Sequence, residues 1–366
     1  MKCAVHRIPI SAPDDISGLR TLLSSGELLA SEVVAIMGKT EGNGCVNDYS
    51  RGLAVLALST LFDEHIGHAA ASKILLIMSG GTEGVLAPHL TVISRSSVNA
   101  LSGKLGKALT VGIGRTPQLL PEHIGRLRQV ELVASATRDA MRDALVDDPA
   151  DVHFIQIKCP LLTTELLQNA EARGAVTVTD DTYKSMSYSR GASALGVAVA
   201  LGEIDGSDVD EDTICVRWDR YSSVASTSAG SELRHCEVLV LGNSSLASGD
   251  LRIAHDVMRD AIDIEAVRSA ACRAGYREEA VEFVQAFAKA EADPSGRIRQ
   301  RRHTMLSDSD INHTRHARAV VGGVLASFFG DPMIYVSGGA EHQGPSGGGP
   351  VAVITRRVEP VARPIE

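Results

Sequence analysis

The sequence is short of concentrated positive charge. Its 36 lysines and arginines are outnumbered by 45 aspartates and glutamates, for a formal net charge of -9, and a nucleic-acid partner would need a dense basic face. The densest basic run is Arg297, Arg299, Arg301, Arg302 and His303; it is brief and followed by Asp308 and Asp310, so it reads as a solvated loop. Six cysteines (Cys3, Cys45, Cys159, Cys215, Cys236, Cys272) form no C-x-x-C pair. A chain of 366 residues has no need of disulfide staples, so reduced thiols and a cytoplasmic location are expected. No apolar stretch reaches the ~18 residues of a membrane span. The N-terminus lacks the charged start, apolar run and small-residue cleavage site of a signal peptide.

Several catalytic signatures are missing as well. There is no H-E-x-x-H, no G-x-S-x-G elbow, no dinucleotide fingerprint and no Walker loop. The pairs His65/His68 and His313/His316 lack acidic partners at metal-ligand spacing and read as surface or core residues.

What the chain does have is an internal repeat, set in a globular composition of 44% hydrophobic and 22% charged residues. Three apolar runs end at a lysine: VVAIMGK to Lys39, VHFIQIK to Lys158 and VEFVQAFAK to Lys289. Their β-branched and aromatic content between polar turns predicts buried strands. Each is followed by a small-residue helix opened by an arginine: Arg51 before LAVLALSTLF, Arg190 before ASALGVAVAL, and Arg315 or Arg318 before AVVGGVLASFF. Arg318 keeps the same distance to its helix's closing residues as Arg51 does, and is preferred. A third element then ends in serine: KILLIMSGG at Ser79, YSSVAST at Ser226 and MIYVSGG at Ser337. The longer spacing in the second unit reflects the acidic stretch from Glu203 to Asp212, a surface insertion by composition. Three α/β units follow, over residues 1–104, 110–250 and 253–366.

A serine hydroxyl is a weak nucleophile near neutral pH and needs a base. A lysine serves if burial and neighbouring positive charge keep it neutral, and a site gathering three lysines and three arginines would supply both. Strand-end serines followed by small residues would also leave backbone N–H groups for an oxyanion. Cys159 directly follows Lys158, so it faces the other side of its strand and reads as a buried structural thiol.

The segments GKTEGNG (38–44), SGGTEG (79–84), SSVASTSAG (222–230) and VSGGAEHQGP (336–345) resemble those of the cyanuric acid hydrolase and barbiturase family, with a likeness running from about Arg7 to Ile354. The resemblance implies an α/β fold of three concatenated, similarly folded units around a pseudo-threefold axis, with one active site at the centre. It implies Ser226 as nucleophile and Lys158 as its base, with Lys39 and Lys289 as supporting lysines beside the other two serines. Substrate would be held by Arg51 with Ser79 and Gly80, Arg190 with Ser226 and Thr227, and Arg318 with Ser337 and Gly338. A structural Mg²⁺ or Ca²⁺ would sit on Glu291, Ala340, Gln343, Gly344, Pro345 and Gly348, a hard-oxygen set. No organic cofactor is implied, and a homotetramer is. The implied activity is opening of the s-triazine ring of cyanuric acid to carboxybiuret, and then biuret and carbon dioxide. One alternative is a barbiturase opening barbituric acid to ureidomalonate; another is a non-enzymatic binder of a small planar metabolite.

Overall fold

The computed structural model describes residues 1–97, 106–276 and 280–358. The first unit contains β1 (Lys2–Pro9), α1 (Ser17–Ser25), β2 (Val33–Thr40), α2 (Tyr49–Ile66), α3 (His68–Ala71), β3 (Leu75–Gly80) and β4 (His89–Ser96). The second contains β5 (Ala108–Arg115), α4 (Leu127–Asp143), β6 (Val152–Pro160), α5 (Thr164–Ala172), α6 (Thr182–Leu201), β7 (Ala225–Gly230) and β8 (Glu237–Ser244). The third contains β9 (Leu251–Met258), α7 (Ile264–Arg273), β10 (Val281–Ala290), the small hairpin β11 (Arg297–Ile298) and β12 (Arg301–Arg302), α8 (His313–Phe329), β13 (Tyr335–Gly338) and β14 (Gly349–Arg357).

Three four-stranded sheets share one topology, β1-β4-β2-β3, β5-β8-β6-β7 and β9-β14-β10-β13. In each, the lysine-bearing strand pairs in parallel with the serine-bearing strand and antiparallel with the last strand of its unit. Even the irregularities repeat, with one register shift near the start of each lysine strand: Val33/Ala35, Val152/Phe154 and Phe283/Gln285. Three concatenated α/β units of one fold are therefore present. The strands begin at Ala108 and Leu251 in the second and third units, so units that keep every sheet whole start there. The expected unit ends at 98–104 and 359–366 lie outside the described residues.

Both faces of each sheet are covered, which is why the strands read as continuous apolar runs rather than alternating ones. The outer faces pack on helices: Ile36 and Met78 on Leu58 and Leu61, Ile155 and Val240 on Val133 and Ala140, Ala288 and Val353 on Val321 and Leu325. The inner faces pack on one another. Met37, Ile77, Phe154, Leu239, Phe287 and Tyr335, drawn from all three units, form one buried cluster. Within it the Phe154 and Phe287 rings stack at 5.1 Å.

Strand alternation fixes where the lysines go. Lys39 lies two residues beyond inward-facing Met37, and Lys289 two beyond inward-facing Phe287. Lys158 lies four beyond inward-facing Phe154. All three lysines thus emerge at one end of the shared core. Cys159 points the opposite way, into the helix-side cluster of the second unit, and the six cysteines are all free. The apolar segment of α6 packs within its own chain: Ala192, Leu195 and Ala198 are fully buried.

Candidate active site

The three arginine helices begin at polar caps that aim their first turns at the same cleft. Asp48 accepts the Ser50 N–H at 3.1 Å at the head of α2, Asp181 the Lys184 N–H at 2.9 Å at the head of α6, and Asn312 the Thr314 N–H at 3.0 Å at the head of α8. The cleft they surround spans about 290 Å³, counted out into its open mouth, and is lined by Arg51, Arg190 and Arg318, by Ser79 with Gly80, Ser228 with Ala229, and Ser337 with Gly338. Gly44 and Met186 complete its wall. A second opening of about 360 Å³, bordered by Asn43, Cys45, Tyr183, Asn312 and Arg315, adjoins it. Arg315 stays on that rim with its side chain 40% exposed, whereas the Arg318 side chain is 4% exposed and reaches the cleft.

One sequence expectation is overturned here. Ser226 and Thr227 do not face the cleft; Ser228 and Ala229 do. The reason is register. Lys39 stands opposite Ser79 and Lys289 opposite Ser337, and in the second sheet Lys158 stands opposite Ser228. Ser226 is one layer deeper, paired with Gln156 in the ladder, and its hydroxyl donates to Gln156 Oε1 at 2.7 Å. The first and third units fill that layer with the apolar pairs Met37/Ile77 and Phe287/Tyr335. The second fills it with a polar pair that satisfies itself. Thr227 faces outward, its N–H bonded to Gln343 Oε1 at 2.7 Å and its hydroxyl to the Arg190 carbonyl at 3.1 Å.

The lysines lock the three units together. Lys39 Nζ donates to the Val336 carbonyl at 2.7 Å, Lys158 Nζ to the Met78 carbonyl at 3.0 Å, and Lys289 Nζ to the Thr227 carbonyl at 2.6 Å. Each acceptor immediately precedes the cleft serine of another unit: Ser337, Ser79 and Ser228. Lys39 also bonds Ser79 Oγ at 3.2 Å, and Lys289 bonds Ser337 Oγ at 3.0 Å. Lys158 instead meets Glu232 at 2.7 Å. That leaves Ser228 Oγ with long contacts to Gln156 Nε2 at 3.4 Å and the Ile157 carbonyl at 3.5 Å.

Burial pushes Lys39 and Lys289 well below the usual lysine range, with Arg318 and Arg190 respectively adding to the effect. Burial also lowers Lys158; Glu232 opposes that and Arg51 reinforces it. For Glu232, burial alone would raise the carboxyl, but Lys158 and Arg51 override it and hold it down at about 2.

Sequence reasoning missed the acids. Glu83, Glu232 and Glu341 each follow a cleft serine by four residues, in SGGTE, SAGSE and SGGAE. Once Ser228 replaces Ser226 the three segments align, and that shared spacing is the signal that would have found both. Glu83 clasps Arg318 with bonds of 2.8 and 2.5 Å, and Glu341 clasps Arg190 with 2.7 and 2.6 Å. Gly81 and Gly339, at φ of 104° and 77°, turn the chain between serine and acid; a Cβ there would also strike Arg318 or Arg190. The N–H groups of these two glycines are bonded to the Thr40 and Ala290 carbonyls at 2.8 and 3.0 Å, so they are not donors to a ligand as the sequence suggested.

The residues expected to carry a metal lie where the loop after Ser337 folds back on the end of β10. Glu291 sits there with its carboxyl raised to about 8, by burial first and by the neighbouring Glu341 second. A desolvated carboxylate next to a second one, bordered by a turn of backbone carbonyls, fits a hard divalent cation. Ala340 and Pro345 already accept one N–H each, from Gln343 at 3.0 Å and Gly348 at 2.9 Å, which leaves each carbonyl a second lone pair. Among the described residues no group of three or more His, Cys, Asp or Glu side chains gathers at this loop or at any other place, so a cation here would rest mainly on carbonyls.

Comparison with known proteins identifies the family. The family of amidohydrolase ring-opening proteins matches residues 4–356. The chain belongs to the ring-opening amidohydrolase family. It is thus a hydrolase acting on C–N bonds of cyclic amides. A cyanuric acid amidohydrolase of Rhizobium leguminosarum bv. trifolii (strain WSM1325) is 55% identical over 98% of this chain and 99% of its own length. Another, from Pseudomonas sp. (strain ADP), is 51% identical over 96% and 98%. The crystal structure of cyanuric acid hydrolase from A. caulinodans superposes with a TM-score of 0.92 at 52% identity, over 98% of this chain and 99% of that one. A further cyanuric acid hydrolase structure, described as an innovation by structural concatenation, gives 0.93 at 50% identity over 97% and 99%. No helix among the described residues is long and apolar enough to cross a membrane.

Proposed function

We propose that this ring-opening amidohydrolase acts on cyanuric acid, with Ser228 as nucleophile and Lys158 as its base. The observation that carries the substrate is the cleft itself: three serines and three arginines arranged in near-threefold fashion around a space for one flat ring. Cyanuric acid offers three equivalent carbonyls, one for each serine–arginine set. The choice of nucleophile rests on Ser228 being the one cleft serine whose hydroxyl is not hydrogen-bonded by the lysine opposite it.

In this reading Lys158 first gives up its ammonium proton to solvent; Ser228 Oγ then attacks a ring carbonyl carbon and its proton passes to Lys158 Nζ. The carbonyl oxygen takes the negative charge, with the arginine guanidinium groups as its counter-charge. Collapse breaks the ring C–N bond as Lys158 returns the proton to the departing nitrogen. The product is a carbamate ester of Ser228. Water, deprotonated by Lys158, releases carboxybiuret, which loses carbon dioxide to give biuret.

Supply of cyanuric acid and barbituric acid side by side, following loss of ring absorbance, tests the assignment. Cyanuric acid is expected to turn over at least about tenfold faster than barbituric acid, whose ring carries a methylene in place of one N–H. Turnover of barbituric acid alone would make the protein a barbiturase; binding of either ring without turnover would sink the mechanism.

The proposal extends to a Mg²⁺ or Ca²⁺ held by Glu291 and the carbonyls of Ala340, Gln343, Gly344, Pro345 and Gly348. It would steady the loop after Ser337 and take no part in the chemistry. A chelator is expected to lower the unfolding midpoint by roughly 3 °C or more. Glu291→Gln is expected to unfold at the lower temperature with or without chelator. An unchanged midpoint on chelation would remove the metal from the account. A homotetrameric, cytoplasmic enzyme completes the proposal.

A further inference from the structure

The three units are related by a rule that pairs each cleft acid with another unit's arginine: Glu83 of the first with Arg318 of the third, and Glu341 of the third with Arg190 of the second. The same rule would pair Glu232 of the second with Arg51 of the first. That pair is not made. Arg51 Nη2 goes to the Cys45 carbonyl at 2.7 Å and Nη1 to the Ala229 carbonyl at 3.1 Å. Its Nε has no hydrogen-bond partner among the described residues, and its nearest carboxylate is Asp48 at 3.7 Å. Asp48 stands three residues before Arg51. The same position holds Ser187 before Arg190 and Arg315 before Arg318, so only the first unit places an acid there.

We propose that Asp48 and Glu232 together select which of the three lysine–serine pairs performs the reaction, Glu232 acting as the positioning residue for Lys158. Asp48 supplies the counter-charge to Arg51 that Glu83 and Glu341 supply to the other arginines. Glu232 is thereby free to hold Lys158 at 2.7 Å, which is the one buried lysine of the three in an ion pair. When Ser228 transfers its proton, Lys158 becomes an ammonium ion beside a carboxylate, while Lys39 or Lys289 would become one among carbonyls and a hydroxyl. A charge forming in a dry site is stabilised far more by a fixed counter-charge than by neutral acceptors. The charged groups facing Lys158 are Glu232 and Arg51, while the Cys159 thiol lies on the other side of the strand. Those facing Glu232 are Lys158 and Arg51, the latter backed by Asp48. Glu232 stays ionised throughout, and the proton moves only between Ser228, Lys158 and the ring nitrogen.

This inference rests on the proposed ring opening, and the pH dependence of kcat for the intact enzyme and for Glu232→Gln tests it. The lysine must be neutral to accept a proton, so activity rises with pH through an acid limb set by Lys158. Losing the carboxylate makes the ammonium harder to form. The limb of Glu232→Gln is expected to move about one unit to lower pH, with kcat down about 100-fold and KM within about threefold. Glu83→Gln, which frees Arg318, is the comparison: KM is expected to rise while the limb stays in place. A Glu232→Gln enzyme with an unmoved limb, or with only the KM effect of Glu83→Gln, would overturn the inference and leave ring opening intact. Absence of turnover in the unaltered protein would instead overturn the proposed function itself. Should Glu232→Gln fail to fold, Glu232→Asp keeps the charge on a shorter stem. It is expected to lower kcat at least about tenfold with the limb retained, and full kcat in that variant would contradict the positioning role.

Discussion

Lys158→Ala is expected to lower kcat for ring opening by about 10³-fold or more, since Lys158 is the residue that stands opposite Ser228 in the ladder. Lys39→Ala is expected to cost about tenfold at most in kcat/KM, through looser placement of Ser79. Stability separates the two further. Removing the Lys158 ammonium strands the solvent-reached Glu232 carboxylate with only Arg51 nearby, a cost that solvent screening keeps to about 1 kcal/mol. Adding Glu232→Gln to Lys158→Ala removes the stranded charge. The double variant is expected to regain much of that stability and none of the activity, as read by thermal unfolding beside initial rates. Recovery of activity in the double variant would contradict a base role for Lys158.

The second large effect separates two serines that sit two residues apart. Ser228→Ala is expected to abolish turnover, by about 10³-fold or more. Ser226→Ala is expected to keep kcat and KM within about threefold. Its penalty lies in folding, because Gln156 Oε1 loses the 2.7 Å hydroxyl bond and is left buried and unpaired, at about 1–3 kcal/mol. Initial rates and unfolding midpoints of the two variants, measured together, check both halves. Loss of turnover in Ser226→Ala with a fully folded protein would show that the cleft layer has been misassigned.

That pair of serines also shows where sequence reading stops. The threefold order of strand, helix and strand was legible, because each lysine closes an apolar run and each arginine opens a small-residue helix. Strand alternation then sends the lysines to the same face. It could not separate Ser226 from Ser228, because both lie on that face and differ only by one layer of depth. Depth is set by ladder register, which the insertion before β7 leaves open along the chain. The sequence nevertheless held the deciding spacing, a glutamate four residues after each cleft serine. What no local pattern reveals is partnership between units. Glu83 and Arg318 are 235 positions apart, and Arg190 and Glu341 are 151. Only packing of the three inner sheet faces brings them together. The choice between Arg315 and Arg318 followed the same logic. Both touch Glu83, at 3.2 and 2.5 Å, but only Arg318 lies deep enough to line the cleft.

A crystal structure of the Ser228→Ala variant with cyanuric acid bound tests the central claim most directly. The ring is expected in the cleft with its three carbonyls each facing one arginine, and with one carbonyl carbon directly over the side chain at position 228. A ring bound in the outer opening beside Arg315, or one with a carbonyl carbon over Ser79 Oγ or Ser337 Oγ and none over position 228, would contradict it.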